Sequence, residues 1–229
     1  LYEQLYRRLS HYLKISEKSL VLGSGSDQII DLLLTLIGKG RWLTSIYPTF
    51  SYFKTRCQFH GIAFSDIMLS SIGNTLDIVE FIIDAKKSHA IYLCSLNNTT
   101  GNQFDKSEIL HILKNLKNNL VIADEAYVEF STYSLTKYVN EYPNLVILRT
   151  FSKALVLAGA RVGYMVANKE LAELFRKRIQ IPYAVNSLSL ALAVSLISKP
   201  KKVQESISLI KGERERLYQN LSKIKNIDV

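Results

Sequence analysis

Leu120-Val121-Ile122-Ala123-Asp124-Glu125-Ala126-Tyr127 and Leu145-Val146-Ile147-Leu148-Arg149-Thr150-Phe151-Ser152-Lys153 share one design, in which an unbroken apolar run ends abruptly in charged and hydroxyl residues. A run of four or more apolar residues without alternation suits a strand covered on both faces, as in a parallel sheet packed between helices. Working outward, further short apolar runs at Leu20–Leu22, Trp42–Ile46, Ile62–Ile67, Ala90–Cys94 and Val162–Val166 complete a set of seven candidate strands. Between and beyond them, amphipathic stretches predict helices over Tyr2–Leu13, Asp27–Ile37, Thr49–Phe59, Leu76–Ala85, Lys106–Leu116, Lys169–Gln180, Ser187–Ser198 and Lys202–Leu221. Strands alternating with helices predict an α/β fold with a mostly parallel seven-stranded sheet flanked by helices. In such sheets ligands gather beyond the carboxyl ends of the strands, so chemistry is sought there.

The composition fits this. The chain has 229 residues, 48% hydrophobic and 21% charged, enough to bury a core without disulfide or metal staples. Its two cysteines, Cys57 and Cys94, form no CxxC pair and suit a reducing compartment, so a cytoplasmic location is expected. No apolar run is long enough to cross a bilayer. The net charge of +9 first suggests nucleic acid. Its distribution argues otherwise: residues 1–168 hold 17 basic and 14 acidic residues, residues 169–229 hold 12 and 6, and the signs are mixed as on a solvated helix face. Neither nucleic acid nor membrane is expected as a partner.

Four strand ends carry candidate chemistry. Gly23-Ser24-Gly25-Ser26-Asp27 stands before an apolar helix, where backbone N–H groups and the helix dipole can receive an anion; the same residues also serve as ordinary turn and N-cap chemistry. Ser95-Leu96-Asn97-Asn98-Thr99-Thr100-Gly101-Asn102 can be a polar turn or can present an amide donor to a ligand. Asp124 closes a buried strand, where a carboxylate is costly unless paired, either with a structural partner or with a cationic nitrogen of a ligand. Ser152-Lys153, with Arg161 eight positions after the lysine, can face an anionic ligand, and a lysine kept partly neutral is a nucleophile. Together, a phosphate cup, an amide, a buried carboxylate, a hydroxyl, a lysine and an arginine are what pyridoxal phosphate requires.

These motifs resemble a known family. Gly-Ser-Gly-Ser-Asp at 23–27, Tyr-Pro-Thr-Phe-Ser-Tyr-Phe at 47–53, Cys-Ser-Leu-Asn-Asn-Thr-Thr-Gly-Asn at 94–102, Ala-Asp-Glu-Ala-Tyr at 123–127, Arg-Thr-Phe-Ser-Lys-Ala at 149–154 and Leu-Ala-Gly-Ala-Arg-Val-Gly-Tyr at 157–164 follow the order seen in the fold-type I pyridoxal-phosphate aminotransferases. Within them the chain is most similar to the histidinol-phosphate aminotransferases. The resemblance implies pyridoxal 5'-phosphate as cofactor, Lys153 as the Schiff-base lysine and proton-transfer base, and Asp124 as partner of the pyridine nitrogen. It implies that Tyr127 and Asn98 contact the ring's phenolic oxygen, that Phe50 stacks on the ring, and that Ser26, Asp27, Ser152 and Arg161 surround the phosphate.

It further implies transamination between histidinol phosphate and 2-oxoglutarate in histidine biosynthesis, by a homodimer. An amino-acid-phosphate decarboxylase, an aromatic aminotransferase and a truncated, non-catalytic cofactor-binding protein stand as alternatives. Residues 1–200 are expected to form the cofactor-binding large domain and 201–229 a connecting helix and the beginning of a small domain. The family's N-terminal arm and the remainder of its small domain are expected to lie outside the sequence. Thr99 and Leu96 stand where the family has prolines and Val156 where a small residue is common. The expectation at Thr99 is either a strained cis peptide before it or a trans loop that displaces Asn98.

Overall fold

The computed structural model describes residues 1–225, and its core is one seven-stranded sheet in the order β1-β7-β6-β5-β4-β2-β3. The strands are β1 (Leu20–Gly23), β2 (Trp42–Tyr47), β3 (Ala63–Met68), β4 (Ala90–Cys94), β5 (Leu120–Asp124), β6 (Leu145–Thr150) and β7 (Gly163–Ala167). β2 through β6 pair in parallel, whereas β7 runs antiparallel to both β6 and β1. The eight helices among the described residues are α1 (Tyr2–Leu13), α2 (Gly25–Ile37), α3 (Ser51–Phe59), α4 (Ile78–Ala85), α5 (Lys106–Asn115), α6 (Lys169–Arg178), α7 (Ser187–Ile197) and α8 (Pro200–Leu221).

The central strands are buried along their whole length because helices cover both faces, and the side-chain period of two divides them between two cores. Odd-numbered residues Ile91, Leu93, Val121, Ala123, Leu145 and Ile147 join one core with α1, α4, α5, α7 and α8. Even-numbered Tyr92, Cys94, Ile122, Val146 and Leu148 join the other with α2, α3 and α6. The same parity sends Asp124 toward α2 and Glu125 to the opposite face, which separates their roles.

All seven expected strands and all eight helices form, with ends that shift by up to two residues. Four helix starts carry side-chain caps: Asp77, Asp105, Asn168 and Asn186 each accept from a first-turn N–H, and Asp105 with Glu108 closes a capping box. Pro200 opens α8 two residues before the expected start, at the position where its missing N–H costs nothing. α2 begins at Gly25 rather than Asp27, so Ser26 and Asp27 lie within its first turn. α3 begins at Ser51 rather than Thr49, which leaves Phe50 as a cap residue free to face the sheet's carboxyl edge. The expected segment 201–229 includes residues 226–229, which lie outside the described residues.

Candidate active site

β1, β2, β4, β5 and β6 deliver site residues at or just beyond their carboxyl ends, the turn before β7 adds Arg161, and one cleft gathers them. It is lined by Ser26, Asp27, Phe50, Asn98, Asp124, Tyr127, Ser152, Lys153 and Arg161, all nine residues singled out from the sequence, together with Cys94, Ala126 and Thr150.

The anion cup is built by a close approach of backbone. Gly163 at the start of β7 lies so near the first turn of α2 that a Cβ there would sit 2.3 Å from the Ser26 nitrogen. Gly25 has φ +77°, and the Arg161 guanidinium occupies the space a side chain would need, 2.6 Å from an ideal Cβ. Arg161 is fixed there by Asp27, Nη2 to Oδ2 2.7 Å, in a pair nearly half exposed. The first-turn N–H groups of a helix have no intrahelical acceptors, so the cup offers amide donors and an arginine to one anion. Ser152 completes this side, its hydroxyl accepting from Thr150 at 3.0 Å.

Asp124 sits at the other end. It is 4% exposed; Oδ2 accepts from the Tyr92 hydroxyl at 2.7 Å and Oδ1 from the Ala126 N–H at 3.0 Å. Burial pushes its carboxyl above the ordinary value, the two donors pull it back, and Asp27 and Glu125 add to the rise. Among the described residues no cation pairs with it. By contrast Glu125, one residue on, is fully served: Arg149 donates to it through Nε at 3.0 Å and brings Nη2 to 2.8 Å as an ion pair, and Ser134 and the Leu135 N–H donate as well. Glu129 approaches the same guanidinium at 3.6 Å. Lys153 Nζ lies 5.1 Å from the centroid of the Tyr127 ring.

The Asn-Asn loop departs from both expected outcomes at Thr99. The cis bonds among the described residues are Tyr47–Pro48 and Ser95–Leu96, so the peptide before Thr99 is trans, and Asn98 nevertheless lines the cleft. Asn97 explains why. It is 2% exposed, donates to the Pro48 carbonyl at 2.9 Å and to Thr100 at 2.7 Å, and accepts from Thr49 at 2.8 Å. Its backbone closes the turn with Asn102 and Gly101. The loop is held by this amide, and Thr99 points to solvent.

Asn97 and Tyr92 were not among the site residues singled out from the sequence. The doubled Asn was a signal for the first. For Tyr92 the signal was its even parity with Cys94 on a strand otherwise made of aliphatic residues.

Comparison with known proteins agrees with this geometry. The family model "Aminotransferase class I and II" matches residues 1–229. The histidinol-phosphate aminotransferase of Pyrococcus furiosus is 38% identical over 215 residues, covering 94% of this chain and 62% of that protein. That of Ruminiclostridium cellulolyticum is 36% identical over 229 residues, covering 98% and 63%. The chain therefore spans a little under two thirds of these relatives. Among solved structures, histidinol-phosphate aminotransferase from Clostridium acetobutylicum superposes with a TM-score of 0.91 at 27% identity, covering all of this chain and 69% of the other. The Sinorhizobium meliloti enzyme, solved with pyridoxal-5'-phosphate, gives 0.89 at 22% identity, covering 96% and 61%. With the anion cup, the buried Asp124 carboxyl and the lysine brought into one cleft by the fold these proteins share, the chain belongs to the class I and II aminotransferases.

Proposed function

We propose that the chain forms the cofactor-binding part of a pyridoxal 5'-phosphate-dependent aminotransferase acting on histidinol phosphate and 2-oxoglutarate in histidine biosynthesis. The observation that carries this is Asp124, a buried carboxyl with a donor on each oxygen and no cation among the described residues. It lies in one cleft with a helix N-terminus, Arg161 and Lys153. A protonated pyridine nitrogen would pair with this carboxyl, and a phosphate suits the cup, so the residues fit the cofactor at both ends.

Bound there, pyridoxal phosphate supplies an electron-withdrawing ring that stabilises negative charge at the substrate's α-carbon. Asp124 holds the proton at the ring nitrogen, which keeps the ring withdrawing. The amides of Ser26 and Asp27, the Ser152 hydroxyl and Arg161 bind the phosphate. Tyr127 and Asn98 orient the phenolic oxygen, and Phe50 covers the ring. Lys153 Nζ would hold the aldehyde end and would serve as the base for the substrate's α-proton. The curated relatives at 36–38% identity support histidinol phosphate as amino donor. Residues 1–200 act as the large domain and 201–229 as the connection to a small domain, in a cytoplasmic homodimer.

Borohydride reduction of the chain loaded with pyridoxal phosphate, followed by peptide mapping, tests the reading. The label is expected on Lys153; a label on another lysine, or none on folded protein, refutes the assignment. Glutamate formation from histidinol phosphate and 2-oxoglutarate tests the substrate pair. Carbon dioxide release from an amino-acid phosphate, without amino transfer, would favour the decarboxylase.

A further inference from the structure

Tyr92 lies outside the set of cleft-lining residues yet touches the one that matters most electrostatically. It is fully buried on β4 and stacks on Phe53 of α3, with ring centroids 3.7 Å apart and planes 17° from parallel. Burial first, and then the neighbouring Asp124 carboxylate, push its phenol well above the ordinary value. The hydroxyl therefore keeps its proton and donates to Asp124 Oδ2 at 2.7 Å. Ala126 N–H holds the other oxygen at 3.0 Å. One donor on each oxygen fixes the plane of the carboxyl group as well as its charge.

We infer that Tyr92 is a positioning residue that orients Asp124 and keeps it ionised, so that the carboxylate can hold a protonated ring nitrogen in the cleft. This rests on the cofactor assignment above. A tyrosine in a strand core could instead be there for packing alone, but packing needs only the ring. The hydroxyl is the part that costs free energy to bury, and its acceptor is the site carboxylate.

The pH dependence follows from the groups around Asp124. Tyr92 and Cys94 face it from β4 and Asp27 from α2 with its partner Arg161; Glu125, just past the end of β5, adds its charge from the opposite face, while Tyr127 and Lys153 line the same cleft. Burial raises the Asp124 carboxyl and the Tyr92 bond opposes that rise. Removing the bond raises the carboxyl further. Affinity for a cationic ring, present while Asp124 is ionised, is then lost at a higher pH on acidification.

Tyr92→Phe keeps the ring and its stack and removes the donor. Pyridoxal phosphate is titrated against the wild-type chain, Y92F, D124N and the double variant. In the wild-type background Y92F is expected to weaken binding about 10- to 100-fold, the worth of a bond to a charged acceptor. In the D124N background the further loss is expected to be no more than about 3-fold, because the acceptor charge is gone. Unchanged affinity in Y92F, or the same loss in both backgrounds, overturns the inference.

A second readout needs no cofactor. In protein labelled with ¹³C at aspartate carboxyls, the Asp124 resonance is assigned by its absence in D124N, and its titration midpoint is expected to rise by about one pH unit or more in Y92F. An unmoved midpoint also overturns the inference. If the wild-type chain binds no pyridoxal phosphate, the proposed function fails, and the carboxyl titration alone decides the role of Tyr92.

Discussion

Replacing Gly163 with alanine tests how the anion cup is built. An ideal Cβ at this position lies 2.3 Å from the Ser26 nitrogen, 2.4 Å from the Gly25 carbonyl carbon and 2.9 Å from its oxygen, whereas ordinary contacts begin near 3.4 Å. All three atoms are backbone, so no side chain can swing aside. The first turn of α2 must retreat from β7 by roughly 1 Å, or β7 must bend away from β1 and β6, to which Gly163 is paired on both sides. Small-to-large changes in a packed interior cost about 1–3 kcal/mol, and a backbone clash places this one near ~3 kcal/mol. For a protein of this size that lowers Tm by about 6–12 °C. The displaced turn also carries the amides of Ser26 and Asp27, so affinity for pyridoxal phosphate is expected to fall about 10-fold or more as their hydrogen bonds lengthen. Urea unfolding with and without the cofactor reads both effects. Gly159→Ala is the control, since nothing lies within 4 Å of its Cβ, and should change stability by less than about 0.5 kcal/mol. A Gly163→Ala protein as stable as wild type and with full affinity would show that strand and helix separate freely, and would refute the account of the cup.

Arg149→Met should destabilise the fold by about 3–5 kcal/mol in urea unfolding, because it leaves the buried Glu125 and Glu129 carboxylates without their cation; a loss under 1 kcal/mol would show that water or another group serves them. Val156→Gly should stabilise by about 1 kcal/mol, since Val156 holds φ 53°, a left-handed conformation costly for a β-branched residue, while its side chain is 67% exposed and buries little; a lowered unfolding midpoint would refute this. Arg161→Ala should change stability by less than about 1 kcal/mol, because its pair with Asp27 is half exposed, yet weaken cofactor binding about 10-fold. Equal loss of stability and no loss of affinity would mean that Arg161 is structural.

Much of the site was legible because each of its residues sits where a local signal ends. Asp124 follows an apolar run, Lys153 follows another, and the Gly-Ser-Gly-Ser-Asp stretch separates a strand from a helix. Apolar runs bounded by polar residues locate strand ends without any knowledge of the neighbouring strands. The resemblance carried by the motifs then implied what those ends bind. Asn97 was not distinguishable from Asn98 in the sequence. Only the contact with Pro48 and Thr49, some 48 residues away in the chain, gives it the loop and leaves Asn98 to the cleft.

Local signals along the chain were enough to locate seven strands and eight helices, the two-sided burial of the central strands, and the residue types presented at their carboxyl ends, because periodicity, capping and apolar run length are local properties of the chain. The remainder depends on how the elements pack in three dimensions, through the tertiary structure. It set the antiparallel course of β7, which brings Gly163 under α2, and it sent Asp124 and Glu125 to opposite faces. It also placed the Tyr92 hydroxyl on Asp124 from the next strand and, among the described residues, left that carboxyl without a cation while Glu125 received Arg149. These follow from register and strand order. Both are fixed by how whole elements pack, and one residue of slip in register would exchange the two faces.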